Sequence, residues 1–119
     1  MGNPKQTAAA FERALALDPA NWSLYLDLAD LHAEQGDFAA AVRLTDQGTA
    51  HAPTELTLRA AGAAYRARLS GSPADLNELI ELAPNLPNTP YRDLLIDHAC
   101  AGPALPADLV TAARRIQNT

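Results

Sequence analysis

Residues 22–55 (WSLYLDLADLHAEQGDFAAAVRLTDQGTAHAPTE) contain two amphipathic patterns separated by a short polar turn. Apolar and aromatic side chains recur at helical spacing in both halves. In the first half they are Tyr25, Leu28, Ala29 and His32, and in the second Phe38, Ala41, Val42, Thr45 and Thr49. Gly36 can adopt the left-handed conformation that ends a helix, and Pro53 stops the second pattern. The stretch predicts a helical hairpin whose two helices are capped by Asn21 and Asp37.

The composition favours an all-α protein. The chain has 119 residues, which is enough for one small domain, so we expect a single domain over residues 1–119. Alanine dominates the apolar residues while Val and Ile are few, and this balance favours closely spaced helices over strands. The single cysteine, Cys100, excludes an internal disulfide.

Charge and hydropathy narrow the classes of partner. A net charge of −5 argues against generic nucleic-acid binding, because phosphate neutralisation needs a basic surface. No apolar run approaches the ~20 residues that a membrane span needs, and the start of the chain lacks a signal-peptide pattern. We therefore expect no nucleic acid and no membrane among the partners, and a cytoplasmic location.

The rest of the chain repeats the pattern at a fixed period. Pro19, Pro53 and Pro87 are spaced thirty-four residues apart, and each follows a helical pattern. A helix over 7–18 precedes the hairpin. After it we expect a helix capped by Thr54, with a one-residue slip in phase after Pro53, and further helices at 73–82, 88–99 and about 107–117, with Gly102 in the place of Gly36.

These residues identify the chain as similar to the tetratricopeptide repeat (TPR) family, whose repeats have this period. The resemblance implies an alpha-alpha superhelix, a TPR-like solenoid of about seven helices in antiparallel pairs. It divides the chain into a half-repeat (5–21), two repeats (22–55 and 56–87) and a divergent helix pair (88–119).

The resemblance also implies where a partner binds. In this family the first helices of successive pairs line a concave groove that commonly holds a peptide or helix of another protein. With the one-residue slip, the candidate groove residues are Ser23, Leu26, Asp27, Asp30, Glu34, Arg59, Ala63 and Arg66. Leu26, Asp30 and Ala63 occupy positions where the family's clamp for acidic chaperone tails places Lys or Asn, which disfavours that type of partner.

The acidic residues of the first hairpin helix leave several interpretations open. Asp27, Asp30 and Glu34 share one helical stripe. The favoured interpretation is that they face solvent or pair with Arg59 and Arg66; binding of a basic peptide is the main alternative, and a divalent ion is the least favoured.

No known catalytic pattern accompanies the repeat. The sequence contains neither HExxH nor paired cysteines, and His98 and Cys100 are about 200° apart around a helix. We expect no enzyme, no cofactor and no metal, and a non-catalytic scaffold for a protein or peptide partner. Two alternatives remain: an accessory region of a larger enzyme, such as a group-transfer enzyme, or an oligomerisation module. Self-association would use the first helix, which lacks a hairpin partner, although a fragment of a longer repeat protein would look the same.

Overall fold

The computed structural model describes residues 3–119 as a succession of seven α-helices, with no strand among those residues. The helices are α1 (Pro4–Leu17), α2 (Trp22–Glu34), α3 (Phe38–His51), α4 (Leu56–Ser70), α5 (Pro73–Leu82), α6 (Thr89–Cys100) and α7 (Ala107–Gln117). A short 3-10 turn, Ala83–Asn85, follows α5. The architecture confirms the all-α prediction. None of the helices within residues 3–119 is long and apolar enough to cross a bilayer.

The ends of the first hairpin form as the sequence predicts. The Asn21 side chain accepts from the amide of Ser23 at 3.2 Å, and the Asp37 side chain accepts from the amide of Ala40 at 3.1 Å. Gly36 has φ of +79°, so it ends α2 in the left-handed conformation. Two caps and one glycine therefore set both the start of each helix and the turn between them.

Two other helix starts differ from the prediction. Glu55, not Thr54, occupies the N-cap position of α4, and its side chain makes no capping hydrogen bond. α1 begins at Pro4, three residues before the predicted start, because Asn3 caps it by accepting from the amide of Lys5 at 2.9 Å. Proline is well suited to this first position because its missing N–H would be unpaired there anyway.

Small residues let α2, α3 and α4 approach one another closely. A Cβ on Gly48 of α3 would meet Tyr25 Cβ of α2 at 2.9 Å and Leu58 Cδ2 of α4 at 3.1 Å. α3 thus lies between α2 and α4, and Leu28, Ala29 and Ala41 fill the core around it. Gly48, which has no side chain, is therefore a point of close contact among the three helices.

α4 is the central helix of the structure. Its residues 60–65 are all buried, and because successive helical residues are 100° apart, such a run encloses the whole circumference. α3, α5 and α6 all pack against it. A helix that is apolar and small on every side is suited to this position, since alanine and glycine allow several neighbours to approach at once.

The packing scheme changes at the last pair of helices. Of the two helices that precede it, α4 packs mainly on α3 and only slightly on α2. Of the helices that precede α6, by contrast, α4 is the main contact and α5 is contacted only slightly. The loop after α6 passes close to the end of α4, where a Cβ on Gly102 would overlap the Ala67 carbonyl oxygen. The expected equivalence of Gly102 with Gly36 is wrong, because Gly102 is needed for this close approach; the positive φ of the loop, +57°, belongs to Ala104.

Candidate functional site

The acidic residues predicted on α2 form an accessible stripe, defined here by Asp27, Asp30 and Glu34. Asp27 and Glu34 are exposed and Asp30 is half-buried. Ser23, one turn before Asp27, is half-buried and its hydroxyl donates to Asn21 Oδ1 at 2.6 Å. Leu26, which was expected to line the same groove, is only 8% exposed and belongs to the core. The polar part of the predicted α2 surface is thus the accessible part.

Asp30 connects three helices through hydrogen bonds. The hydroxyl of Tyr65 on α4 donates to Asp30 Oδ1. The hydroxyl of Tyr91 on α6 donates to both carboxylate oxygens, at 2.9 Å to Oδ1 and 3.1 Å to Oδ2. We call this cluster of Asp30, Tyr65 and Tyr91 the Asp30 clasp. Asp30 belongs to the acidic stripe of α2, and only the packing of α4 and α6 brings Tyr65 and Tyr91 to it.

The clasp perturbs the ionisation of its own carboxyl group. The pKa of Asp30 is raised from its ordinary value of 3.8 to about 6, mainly because the group is buried and in part because of the charges of Asp27 and Glu34, against the lowering effect of the two tyrosine hydrogen bonds. Burial also raises the pKa of both Tyr65 and Tyr91. Both hydroxyls therefore remain donors at neutral pH.

An aromatic group lies beside the clasp. The Phe38 ring centroid is 6.0 Å from that of Tyr65 and 5.4 Å from that of His98, and the Arg68 guanidinium lies 4.7 Å above the Phe38 ring. Burial lowers the pKa of His98, so the neutral ring is favoured in this position. α6 is therefore held to α2 and α3 by Tyr91 near its start and His98 near its end.

Arg59 and Arg66, the two arginines predicted to line the groove on α4, contact α3 and α5. Arg66 donates from Nε to Asp75 at 2.9 Å, and its other nitrogens lie 3.1 Å from Asp46 and 3.4 Å from Glu78. Arg59 Nη2 lies 3.9 Å from the same Glu78. The expected pairing of Arg59 and Arg66 with the acidic stripe of α2 is therefore wrong. Their partners are on α3 and α5.

This arrangement follows from an unbroken thirty-four-residue register. Tyr25 stacks on His51 at a centroid distance of 5.6 Å, and His32 Nδ1 lies 3.9 Å from Asp37, so both contact the second helix of their hairpin or its cap. Arg59 and Arg66 stand thirty-four residues later and likewise contact the second helix of theirs.

Ala63 completes the same comparison. It stands thirty-four residues after Ala29, and both are fully buried in hairpin packing. The predicted one-residue slip is therefore wrong, and Ala63 does not line an open groove. The residues of α4 that correspond to Ser23, Asp27, Asp30 and Glu34 of α2 are Thr57, Ala61, Ala64 and Arg68.

The sequence did contain a signal for the arginine contacts. Asp75 and Glu78 are three residues apart in α5, so they share one face of that helix. A hairpin in register would bring that face to Arg59 and Arg66. Leu58, Ala61, Gly62 and Tyr65 also fall at helical spacing and are compatible with the other phase. Because α4 is buried all round at residues 60–65, its apolar pattern is uninformative about direction.

Two cavities accompany these surfaces. One, of about 170 Å³, is lined by Asp46, Thr49, Arg59, Arg66 and Glu78 and lies on the ion-paired side of α4. The other, of about 230 Å³ and mainly apolar, lies between α1 and α2 and is lined by Lys5, Ala8, Leu31, His32 and Gln35. Neither lies at the Asp30 clasp.

Within residues 3–119, no set of three His, Cys, Asp or Glu side chains is positioned to hold a metal ion. Burial raises the pKa of Cys100, which favours the less reactive thiol form. His98 faces Phe38 and Tyr65.

Comparison with known proteins is consistent with the repeat architecture. The family model described as Tetratricopeptide repeat matches residues 1–69, more than half of the chain. The chain belongs to the tetratricopeptide repeat family. No curated protein and no solved structure matches it. TPR repeats generally mediate protein–protein interaction. The matched segment ends near the C-terminus of α4, so α5, α6 and α7, where the packing scheme changes, lie beyond it.

Proposed function

We propose that this TPR chain is a non-catalytic protein-interaction scaffold that binds a basic peptide or helix of a partner through the acidic stripe of α2. The observation that carries the proposal is that, within residues 3–119, no cationic side chain forms an ion pair with the carboxylates of this stripe, Asp27, Asp30 and Glu34. Uncompensated carboxylates on one face attract a cationic partner and raise its association rate.

The spacing of the stripe suits an extended or helical basic segment. Asp27 and Glu34 are seven residues apart, which at 1.5 Å rise per residue separates them by about 10 Å along α2. Lysine or arginine residues one or two helical turns apart on a partner would match this separation. The arginines that could have neutralised the stripe are engaged with Asp46, Asp75 and Glu78 instead.

An exposed leucine provides an apolar contact beside the charges. Tyr91, Leu94 and His98 fall on one face of α6, since they are separated by three and four residues. Tyr91 and His98 point towards α2 and α3, and Leu94 between them is 46% exposed. We infer that Leu94 contacts apolar side chains of a partner whose basic residues pair with α2.

The proposal is tested by selecting partners without assuming their identity. A phage-displayed library of random 16-residue peptides is panned on the chain, and selected peptides are titrated by calorimetry. We expect selected peptides to be enriched in Lys and Arg. We expect their affinity to fall about tenfold or more for the variant carrying Asp27→Lys and Glu34→Lys, because two attractions become repulsions.

A matched control reverses the same number of charges elsewhere. Glu12→Lys with Asp18→Lys alters two exposed carboxylates on and after α1 and should leave the affinity within about twofold of wild type. Peptides without basic enrichment, or equal affinity for the α2 variant and wild type, would remove the acidic stripe from consideration.

Self-association through α1 is a second candidate, favoured by its exposed apolar surface. Leu17 is 88% exposed, and the apolar cavity of about 230 Å³ opens between α1 and α2. A second chain could cover both. Sedimentation velocity at several concentrations tests this: an association that Leu17→Ser weakens supports it, and a monomer at millimolar concentration rules it out.

A further inference from the structure

Side-chain contacts join α2 and α6 across α4. α2 and α6 have little direct backbone packing, because α4 lies beside both of them. The Tyr91 hydroxyl nevertheless reaches from α6 to both oxygens of Asp30 on α2, at 2.9 and 3.1 Å. This bridge links the helix pair α2–α3 directly to the helix pair α6–α7.

The interface beneath the bridge is built from small side chains. Ala60, Ala64 and Ala67, spaced by four and three residues, form one face of α4 and are all fully buried. The contact between Gly102 and Ala67 places the end of α6 on this face, and His98 packs against Tyr65 at a centroid distance of 5.9 Å. Alanine side chains are too short to interdigitate closely between two helices. The Tyr91–Asp30 hydrogen bonds and the His98–Tyr65 contact therefore contribute strongly to the angle between α6 and α2.

We propose that the Asp30 clasp is a proton-sensitive link that sets the separation of α2 and α6, tightening as the solution is acidified. The clasp depends on contacts within the chain alone. A failure of peptide binding at α2 would therefore leave this proposal standing, and a failure of the clasp would leave the peptide test unaffected.

The direction of the pH effect follows from the surroundings of the Asp30 carboxyl group. Closing the clasp removes Asp30 from water and places it against the hydroxyls of Tyr65 and Tyr91, while Asp27 and Glu34 on the same helix repel its charge. Opening would return Asp30 to solvent and towards the ordinary ionisation of an aspartate. Because the closed form holds a proton more tightly than the open form, acidification favours closure.

One neighbouring group acts in the opposite sense. His98 is half-buried, and burial lowers its pKa, so acidification favours the open form through this residue. The titratable and charged groups that face the clasp or His98 are Asp27 and Glu34 on α2, Tyr65 and Arg68 on α4, and Tyr91, Asp97 and His98 on α6. A test must therefore separate Asp30 from His98.

The experiment is amide hydrogen exchange of α6 between pH 5 and pH 7, corrected for intrinsic exchange, in a His98→Gln background. With a closed-state pKa of about 6 for Asp30, the opening constant of α6 should fall about tenfold from pH 7 to pH 5. Adding Asp30→Asn should remove this change, and Asp30→Asn with His98 retained should reverse its sign.

Two outcomes would overturn the clasp. One is an unchanged pH dependence after Asp30→Asn; the other is an equal pH dependence in α1 and α6, which would show a change in global stability without a local opening. Tyr91→Phe provides a second variant that keeps the ring. It should raise the opening constant of α6 several-fold at pH 5 while leaving α3 unchanged, and no effect on α6 would also contradict the proposal.

Discussion

Arg66 donates from Nε to Asp75 Oδ1 over 2.9 Å, whereas the residue before it, Tyr65, donates to Asp30. Adjacent residues of α4 thus serve different faces of the helix. Arg66 stabilises the contact with α5, and Tyr65 stabilises the contact with α2. Since neighbouring helical positions are 100° apart, an error of one residue in register exchanges these two roles.

The Arg66 cluster should contribute measurably to stability. Arg66→Met leaves the carboxylates of Asp75, Asp46 and Glu78 close together without their shared cation. We expect the free energy of unfolding in urea to fall by about 1–2 kcal/mol. The loss is limited because solvent partly screens the Arg66 side chain. Burial lowers the pKa of Arg66, but the hydrogen bond to Asp75 and the three carboxylates outweigh this and raise it.

A double-mutant cycle and a control define the origin of that loss. Arg66→Met and Asp75→Asn should show a coupling free energy of about 0.5 kcal/mol or more. Arg43→Met, an exposed position on α3, should change stability by less than about 0.5 kcal/mol. Equal losses at Arg43 and Arg66 would contradict a specific role for the cluster.

Protonation of Asp30 should be visible in the pH dependence of stability. Its folded pKa of about 6 exceeds its ordinary value of 3.8, so its stabilising contribution is fully present below pH 3.8 and is lost as the pH rises through 6. The difference between the unfolding free energies of wild type and Asp30→Asn should therefore change by up to about 3 kcal/mol between pH 3.5 and pH 7.5. Chemical denaturation at each pH measures this.

The control for that comparison removes one acid without touching the clasp. Glu12→Gln, an exposed position on α1, should not reproduce the pH-dependent difference seen for Asp30→Asn. A difference in unfolding free energy between wild type and Asp30→Asn that is independent of pH would contradict the buried environment of the Asp30 carboxyl group.

The tyrosine hydrogen bonds should hold the pKa of Asp30 down. Tyr65→Phe and Tyr91→Phe each remove one donor while keeping the ring, so each should raise the pKa of Asp30 above its wild-type value. Carbon-13 NMR of the aspartate carboxyl groups measures the shift directly. Tyr25→Phe removes a hydroxyl that donates to the Pro19 carbonyl and serves as the matched control. A lower pKa in either clasp variant would refute the assignment of these donors.

Two glycines should differ in their sensitivity to alanine. A Cβ on Gly36 meets nothing within 4 Å, so Gly36→Ala should cost about 1–2 kcal/mol from its φ of +79° alone. A Cβ on Gly102 would overlap the Ala67 carbonyl oxygen, and the end of α6 would have to move away from α4. We expect the Gly102→Ala loss in urea unfolding to be the larger of the two, and the reverse order would contradict the close approach.

Local structure was predictable because its causes are local. Asn21 and Asp37 cap their helices with side chains that reach amides two or three residues away, and Gly36 turns the chain through its own φ. The cap of α4 was mispredicted because Thr54 and Glu55 are adjacent, and composition alone does not choose between them. Helix ends are commonly uncertain by this amount.

The candidate site was predictable only in part. The acidic stripe follows from helical spacing, so Asp27, Asp30 and Glu34 lie on one face as expected. The spacing of Asp75 and Glu78 indicates partners for Arg66 only once the register of α4 is known, and the apolar pattern of α4 gives no register because residues 60–65 are buried all round.

By itself, the sequence determined the number of helices, most of their ends and the thirty-four-residue period, since these depend on capping side chains, prolines and contacts within a few residues. Only the tertiary structure decided that Tyr91, sixty-one residues after Asp30, would donate to it, and that Arg66 would turn to α5. Such contacts depend on how α6 and α5 pack around α4, and that packing depends on closely fitted surfaces of distant segments.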